Sequence, residues 1–216
     1  MAPTGLRDRF QRLIARERRR AESGQPAEIV AKMNALLDKK VIMALYEASQ
    51  AGVEIELLVR GICALRPGIR GVSDRIRVRS IVGRFLEHSR IFCFANGGEE
   101  EIYIGSADWM PRNLYERVEV LVPIKDPLLR MRIQQEIIQT YLADNMKTRI
   151  LQRDGSYIRP WQSPRGRKMP NPPARMEGFN AQEFLISVAE SKRGPESIPQ
   201  QPTRRIRRQL TLGKER

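Results

Sequence analysis

A single histidine, His88, occurs in the 216 residues, within the stretch Phe85-Leu86-Glu87-His88-Ser89-Arg90, so all imidazole chemistry falls on one side chain. An imidazole with an ordinary pKa of about 6.5 gives or takes a proton near neutrality, or binds a phosphate as imidazolium, and sequence alone does not separate these roles. Arg90 follows two positions later, and Gly105-Ser106-Ala107-Asp108 ends a later apolar segment. The Ser106 hydroxyl is able to orient His88 or meet a phosphate, and the Asp108 carboxylate is able to hold an arginine. The plainer reading of both is that they cap the turn before Trp109. Arg60 closes the apolar run from Val53 to Val59. A guanidinium at the carboxyl end of a buried strand stands where open α/β sheets place ligands, and it offers two donors to phosphate oxygens. Arg66, in the loop with Pro67-Gly68, and Arg77, Arg79 and Arg84 are weaker candidates for extending a positive channel. Trp109 and Tyr115 are assigned no role, because aromatic residues near a strand end more often belong to the core.

These residues need a scaffold, and the apolar spacing outlines one. Residues 5 to about 23 place Leu6, Phe10, Leu13 and Ile14 on one face of an Arg- and Glu-rich helix that ends at Ser23-Gly24-Gln25-Pro26. Ile29, Val30 and Met33 read as a strand, and Val41, Ile42, Leu45 and Ala48 as a helix after Asp38. Gly52 closes that helix, and the run to Val59 completes a βαβ unit whose strands are covered on both faces. Ile76 and Val78 alternate with arginines, and two apolar segments flank the hairpin signal Asn96-Gly97-Gly98. Val118, Val120 and Val122 suggest a further strand, and Asp126-Pro127 opens a helix with Leu129, Ile133, Ile137 and Tyr141 on one face. The core is expected to end near residue 150. Residues 151–216 read as a basic, Pro-rich and mostly disordered tail, interrupted by a short helix within Phe179 to Ala189.

Composition narrows the partners. The 39 Lys and Arg against 25 Asp and Glu give a net charge of +14, which points to a polyanion: nucleic acid, acidic membrane or polyphosphate. Two cysteines outside any metal-binding spacing make neither a disulfide framework nor a zinc site and fit a reducing compartment. No apolar window is long enough for a membrane span, and the first ten residues lack the apolar run of a signal peptide, so a cytoplasmic protein without membrane insertion is expected.

His88-x-Arg90 followed by Gly105-Ser106-Ala107-Asp108 resembles the H-x-K and G-S-x-N halves of the phospholipase D superfamily motif. In that superfamily two motifs face each other, one histidine attacking phosphorus and the other serving as general acid. This sequence supplies one motif, with Arg90 where Lys is usual, Asp108 where Asn is usual, and no Asp at the expected distance after Arg90. Longer segments carry a closer resemblance. AKMNALLD, LYEASQAGVEIELLVRGICALRPG, IRVRSIVGRFLEHSRIF and YIGSADWMPRNL together resemble the last domain of the phosphohistidine type of polyphosphate kinase, from about Ala2 to Ala189.

The resemblance implies an α/β fold, a phospholipase-D-like mixed sheet flanked by helices. An amino-terminal helix at 1–25, the domain at 26–150 and the tail at 151–216 divide the chain. It implies reversible transfer of the terminal phosphate of ATP to polyphosphate, with ATP, ADP and polyphosphate as partners and Mg2+ as a cofactor whose ligands are not in this chain. Arg60 matches the family's nucleotide-contacting arginine, and His88 its second active-site histidine. The acceptor histidine belongs to a preceding domain that this sequence lacks, so a partner chain is the expected source of it; homo-oligomers are left open. Two alternatives stand beside this reading: a non-catalytic fragment that binds polyphosphate or nucleic acid, and a dimeric phospholipase-D-like phosphodiesterase that pairs two copies of His88.

Overall fold

The structure, a computed structural model, describes residues 5–161 and 178–190. Its centre is an eight-stranded mixed sheet in the order β6-β5-β4-β1-β2-β3-β7-β8. The strands are β1 (Glu28–Met33), β2 (Glu54–Val59), β3 (Ile76–Ile81), β4 (Arg90–Phe94), β5 (Glu101–Gly105), β6 (Leu121–Ile124), β7 (Thr148–Leu151) and β8 (Tyr157–Ile158). β1, β2 and β3 run parallel, with Ile29 opposite Ile55 and Leu57 opposite Val78. Every other pairing is antiparallel, beginning with β4 against β1 and β7 against β3.

The first two helices cover one face. α1 (Leu6–Glu22) buries Leu6, Phe10, Leu13 and Ile14, and α2 (Lys39–Gln50) buries Val41, Ile42, Leu45 and Ala48, as their spacing predicts. Asp38 caps α2 by accepting from Val41 N at 2.9 Å, satisfying an amide that the first turn leaves unpaired. Ile29, Ala31, Met33, Ile55, Leu57, Val59, Ile76, Val78, Phe92 and Phe94 meet these helices in the main core. The opposite face carries Val30, Leu58, Ile81, Ile91, Cys93 and Ile102. It is covered by a π-helical stretch (Ile133–Ile138) that continues from the exposed α3 (Pro127–Arg132), and by α4 (Gln139–Ala143) and α5 (Ala181–Ala189). Burial on both faces explains why the central strands read as continuous apolar runs.

Three sequence expectations need correction. Val118 and Val120 are exposed and precede β6, because the buried residue between them is Glu119, held by Ser106 and Asn113. The helix after Asp126 does not keep one apolar stripe: the π-helical stretch shifts its face, leaving Leu129 exposed and burying Ile138. The sheet does not end near residue 150, since β7 and β8 extend it beyond β3 and bury Leu151, with Trp161 also buried. The helix expected within Phe179 to Ala189 is present as α5, with Ala181 and Phe184 buried. Residues 162–177 and 191–216, where most of the expected tail falls, lie outside the described residues. No helix among the described residues is long and apolar enough to cross a membrane.

Candidate functional site

The carboxyl ends of β1, β2 and β3 share one edge of the sheet with the start of β4 and the end of β5, because β4 is antiparallel to β1 and β5 is antiparallel to β4. Asn34, Arg60, His88, Arg90, Ser106 and Asp108 therefore meet at that edge, although the sequence scatters them. Open α/β sheets bind ligands at such an edge.

A continuous run of hydrogen bonds links four of the residues singled out by chemistry. Arg60 Nε donates to Asn34 Oδ1 at 3.0 Å. The Asn34 backbone N–H donates to Asp108 Oδ1 at 2.7 Å. Asp108 accepts from Arg90 side-on, Nε to Oδ1 at 3.2 Å and Nη2 to Oδ2 at 3.1 Å. Arg90 Nη1 closes the run on the His88 carbonyl at 2.7 Å. Asp108 is buried and Arg90 half-buried, so this pair is shielded from solvent and geometrically specific. Asn34 occupies Arg60 at Nε alone, which leaves the outer nitrogens of the guanidinium for a ligand.

The packing beneath fixes these positions. Trp109 is fully buried and stacks on Phe92 at 5.3 Å, with Phe10 edge-on to it at 5.5 Å. Its carbonyl accepts from Leu37 N at 2.8 Å and Asp38 N at 2.9 Å. The residue next to this anchor, Asp108, is thereby held against Arg90. Trp109 is a core residue and presents no stacking surface to a ligand.

His88 is exposed, and its imidazole makes no hydrogen bond within the described residues. Its neighbours are restrained. Lys32, a buried lysine in the middle of the sheet, pairs with Glu87 Oε2 at 2.8 Å and donates to Ser89 Oγ at 2.9 Å. The same ammonium lies 4.6 Å above the Tyr141 ring. Burial pushes the Tyr141 phenol well up from its usual pKa, and the Glu87 carboxylate beside it acts in the same direction, so Tyr141 stays protonated.

The remaining sequence candidates separate. Ser106 is at the edge, but its hydroxyl is engaged by Glu119 and by Val120 N at 3.1 Å. Arg66 is elsewhere: its amide donates to the Tyr46 hydroxyl, and its guanidinium lies over Gly155 in the β7–β8 turn, toward the opposite end of the sheet. Arg77 pairs with Glu56 at 2.8 Å, and Arg79 with Glu56 at 3.3 Å and the Leu142 carbonyl at 3.0 Å, so neither is a free cation. Arg84 is exposed on the loop before His88. The Cys63 thiol, half-buried after β2, is pushed up to about 11 by burial and is no ready nucleophile.

Sequence reasoning missed Asn34, Lys32 and Glu87. Asn34 directly follows β1 at the edge where Arg60 follows β2, so the logic that found one reaches the other. Lys32 is a charge inside the run Ile-Val-Ala-Lys-Met, and a buried ammonium requires partners. Among the described residues no cluster of His, Cys, Asp and Glu is suited to a metal ion, and the carboxylates at this edge are already bound to Arg90 and Lys32.

Comparison with known proteins shows the family of the chain. The family model for polyphosphate kinase C-terminal domain 2 matches residues 1–169. A polyphosphate kinase of Thermosynechococcus vestitus is 59% identical over 157 residues, 73% of this chain and 21% of its own length. One from Synechocystis is 49% identical over 196 residues, 91% of this chain and 26% of that relative. One from Pseudomonas aeruginosa is 56% identical over 169 residues, 78% of this chain and 24% of that relative. The chain thus spans about a fifth to a quarter of the length of these curated relatives. Among solved structures, the polyphosphate kinase of Porphyromonas gingivalis superposes with a TM-score of 0.75 at 40% identity, over 87% of this chain and 27% of that one. A phospholipase D family member from Salmonella typhimurium, Nuc, matches at a TM-score of 0.45 and 11% identity.

Proposed function

Because this chain belongs to the polyphosphate kinase C-terminal domain family, we propose that its sheet edge is one half of a phosphoryl-transfer site, binding the phosphates of ATP and polyphosphate for reversible transfer between them. The observation that carries the reading is the run of hydrogen bonds from the Arg60 guanidinium through Asn34, Asp108 and Arg90 to the His88 carbonyl, which brings Arg60 and the backbone of His88 to one edge. Arg60 binds phosphate oxygens with its outer nitrogens and balances their charge. His88 donates a hydrogen bond or a proton to the oxygen that leaves. Arg90 and Asp108 neutralise each other and act as a strut.

The strut also weighs against phosphodiesterase chemistry. An arginine committed side-on to a buried carboxylate is poorly placed to replace the phosphate-binding lysine of the H-x-K pattern. Magnesium, which the resemblance implies, meets no cluster of side-chain ligands among the described residues, and no step here depends on it. With one histidine in the 216 residues, a separate phosphoryl acceptor comes from outside them, from a partner chain or the longer protein that the relatives represent.

The test is phosphoryl exchange between nucleotide and polyphosphate with magnesium, measured in both directions alongside binding. Binding of both ligands without turnover is the expected result for the chain alone. Turnover abolished by His88→Ala would overturn the division of labour, since one histidine would then suffice. Binding of neither ligand would overturn the assignment of the edge.

A further inference from the structure

The loop that carries His88 has little structure of its own. Residues 82–89 connect β3 to β4 without helix or strand. At its centre, the backbone groups of Phe85 are satisfied by a side chain: Phe85 N donates to Gln182 Oε1 at 2.9 Å, and Phe85 O accepts from Gln182 Nε2 at 3.0 Å. The same Nε2 donates to Glu87 Oε1 at 2.6 Å, leaving the other Glu87 oxygen to Lys32. One carboxamide thus binds both polar groups of a peptide and the carboxylate adjoining His88. Only an amide does this, because the loop presents one donor and two acceptors.

We infer that Gln182, on α5, is a positioning residue for His88, holding the loop from which the imidazole reaches the phosphate; the inference rests on the role of His88 proposed above. The helix is a firm base. Asn180 caps it, Phe184 is buried, Ala181 N donates to Asp144 Oδ2 at 2.8 Å, and Asn145 N donates to the Phe179 carbonyl at 3.1 Å. Close approach at Gly83 adds to the fit: a Cβ built there would lie 2.3 Å from Gln182 Oε1, so the loop passes this side chain without room for another. Without the clamp, the Phe85 peptide and Glu87 would each lose a partner, and the loop would regain the conformational freedom that ordering removes.

Because His88 is the only histidine, its imidazole resonances report on this loop without ambiguity. The experiment records them in the full chain across pH, free and with tripolyphosphate, for the wild type, Gln182→Met, and Gln182→Glu, which keeps the size of the side chain and loses its donor. Circular dichroism melts and the indole resonances of the buried tryptophans check that each variant is folded.

The wild type is expected to give one sharp set of imidazole signals that moves on adding tripolyphosphate. In folded Gln182→Met these signals broaden or shift toward those of an unstructured peptide, and tripolyphosphate affinity falls by about tenfold, as for loss of hydrogen bonds to a charged group. Gln182→Glu does no better, since its carboxylate can donate neither to the Phe85 carbonyl nor to Glu87. Folded Gln182→Met with wild-type imidazole signals overturns the positioning role, whether or not tripolyphosphate binds. A wild type that ignores tripolyphosphate yet shows the free-state change in Gln182→Met supports the clamp and counts instead against the proposed function.

Discussion

At the scale of residues, the site is defined by which cations are free. Arg77, Arg79 and Arg90 are each tied to a carboxylate, whereas Arg60 meets only a neutral amide through Nε. Arg60→Lys is therefore expected to recover only part of the phosphate affinity lost in Arg60→Ala, because an ammonium does not hold Asn34 and a phosphate in the same fork geometry; titration of the three proteins with tripolyphosphate checks the order. Asp108→Ala strands a half-buried guanidinium and the Asn34 amide, and urea unfolding is expected to show a loss of about 3 kcal/mol. Arg60 and His88 were legible as types at suggestive places. Their connection was not, because it passes through Asn34 and Asp108, separated from each other by |i−j| = 74 in sequence.

At the scale of elements, charges buried between helix and sheet give the fold its pH response. Glu17 of α1 is fully buried and accepts from Asn96 N with both oxygens, at 3.0 and 3.1 Å, fixing the β4–β5 turn where Asn96 has φ of 48°. Burial is the main cause that raises its pKa above the ordinary value of 4.5, outweighing the opposing hydrogen bond from Asn96. A folded-state pKa above the unfolded one contributes stability that is complete below the unfolded pKa and lost as pH rises through the folded pKa. Glu17→Gln removes this response. The stability of the variant relative to wild type is expected to be highest near neutrality and to fall as pH is lowered toward the ordinary carboxylate range, as followed by thermal melts across pH. The hairpin signal Asn96-Gly97-Gly98 and the βαβ unit were readable from spacing, since both are local patterns. β7 and β8 were not, because β7 pairs with the edge of β3, about 70 residues earlier in the chain, and β8 pairs only with β7.

At the scale of the whole molecule, the chain carries a net charge of +14 while the edge has few free cations among the described residues, so the long-range field and the specific site make separable contributions. The field is expected to bind polyanions with an affinity that falls linearly on a log-log plot against salt, by analogy with nucleic acid, and Arg60→Ala is expected to lower the slope by about 0.7, as for one single-strand phosphate contact. A slope unchanged in that variant would remove Arg60 from phosphate contact. Composition pointed to a polyanion, and the long segments around Arg60 and His88 foretold the family, but the contact that α5 makes was hidden. Gln182 is linked to Glu87 across a separation of 95 residues, and no local spacing encodes such a contact. The most direct test of the shared edge is titration calorimetry of tripolyphosphate into the wild type, Arg60→Ala and His88→Ala at one salt concentration. Affinity that drops by about tenfold or more in each variant is the expected result for two groups that touch the same phosphates. Equal affinity in all three would mean that the anion is held by the general positive field, and that this edge is not the phosphate site.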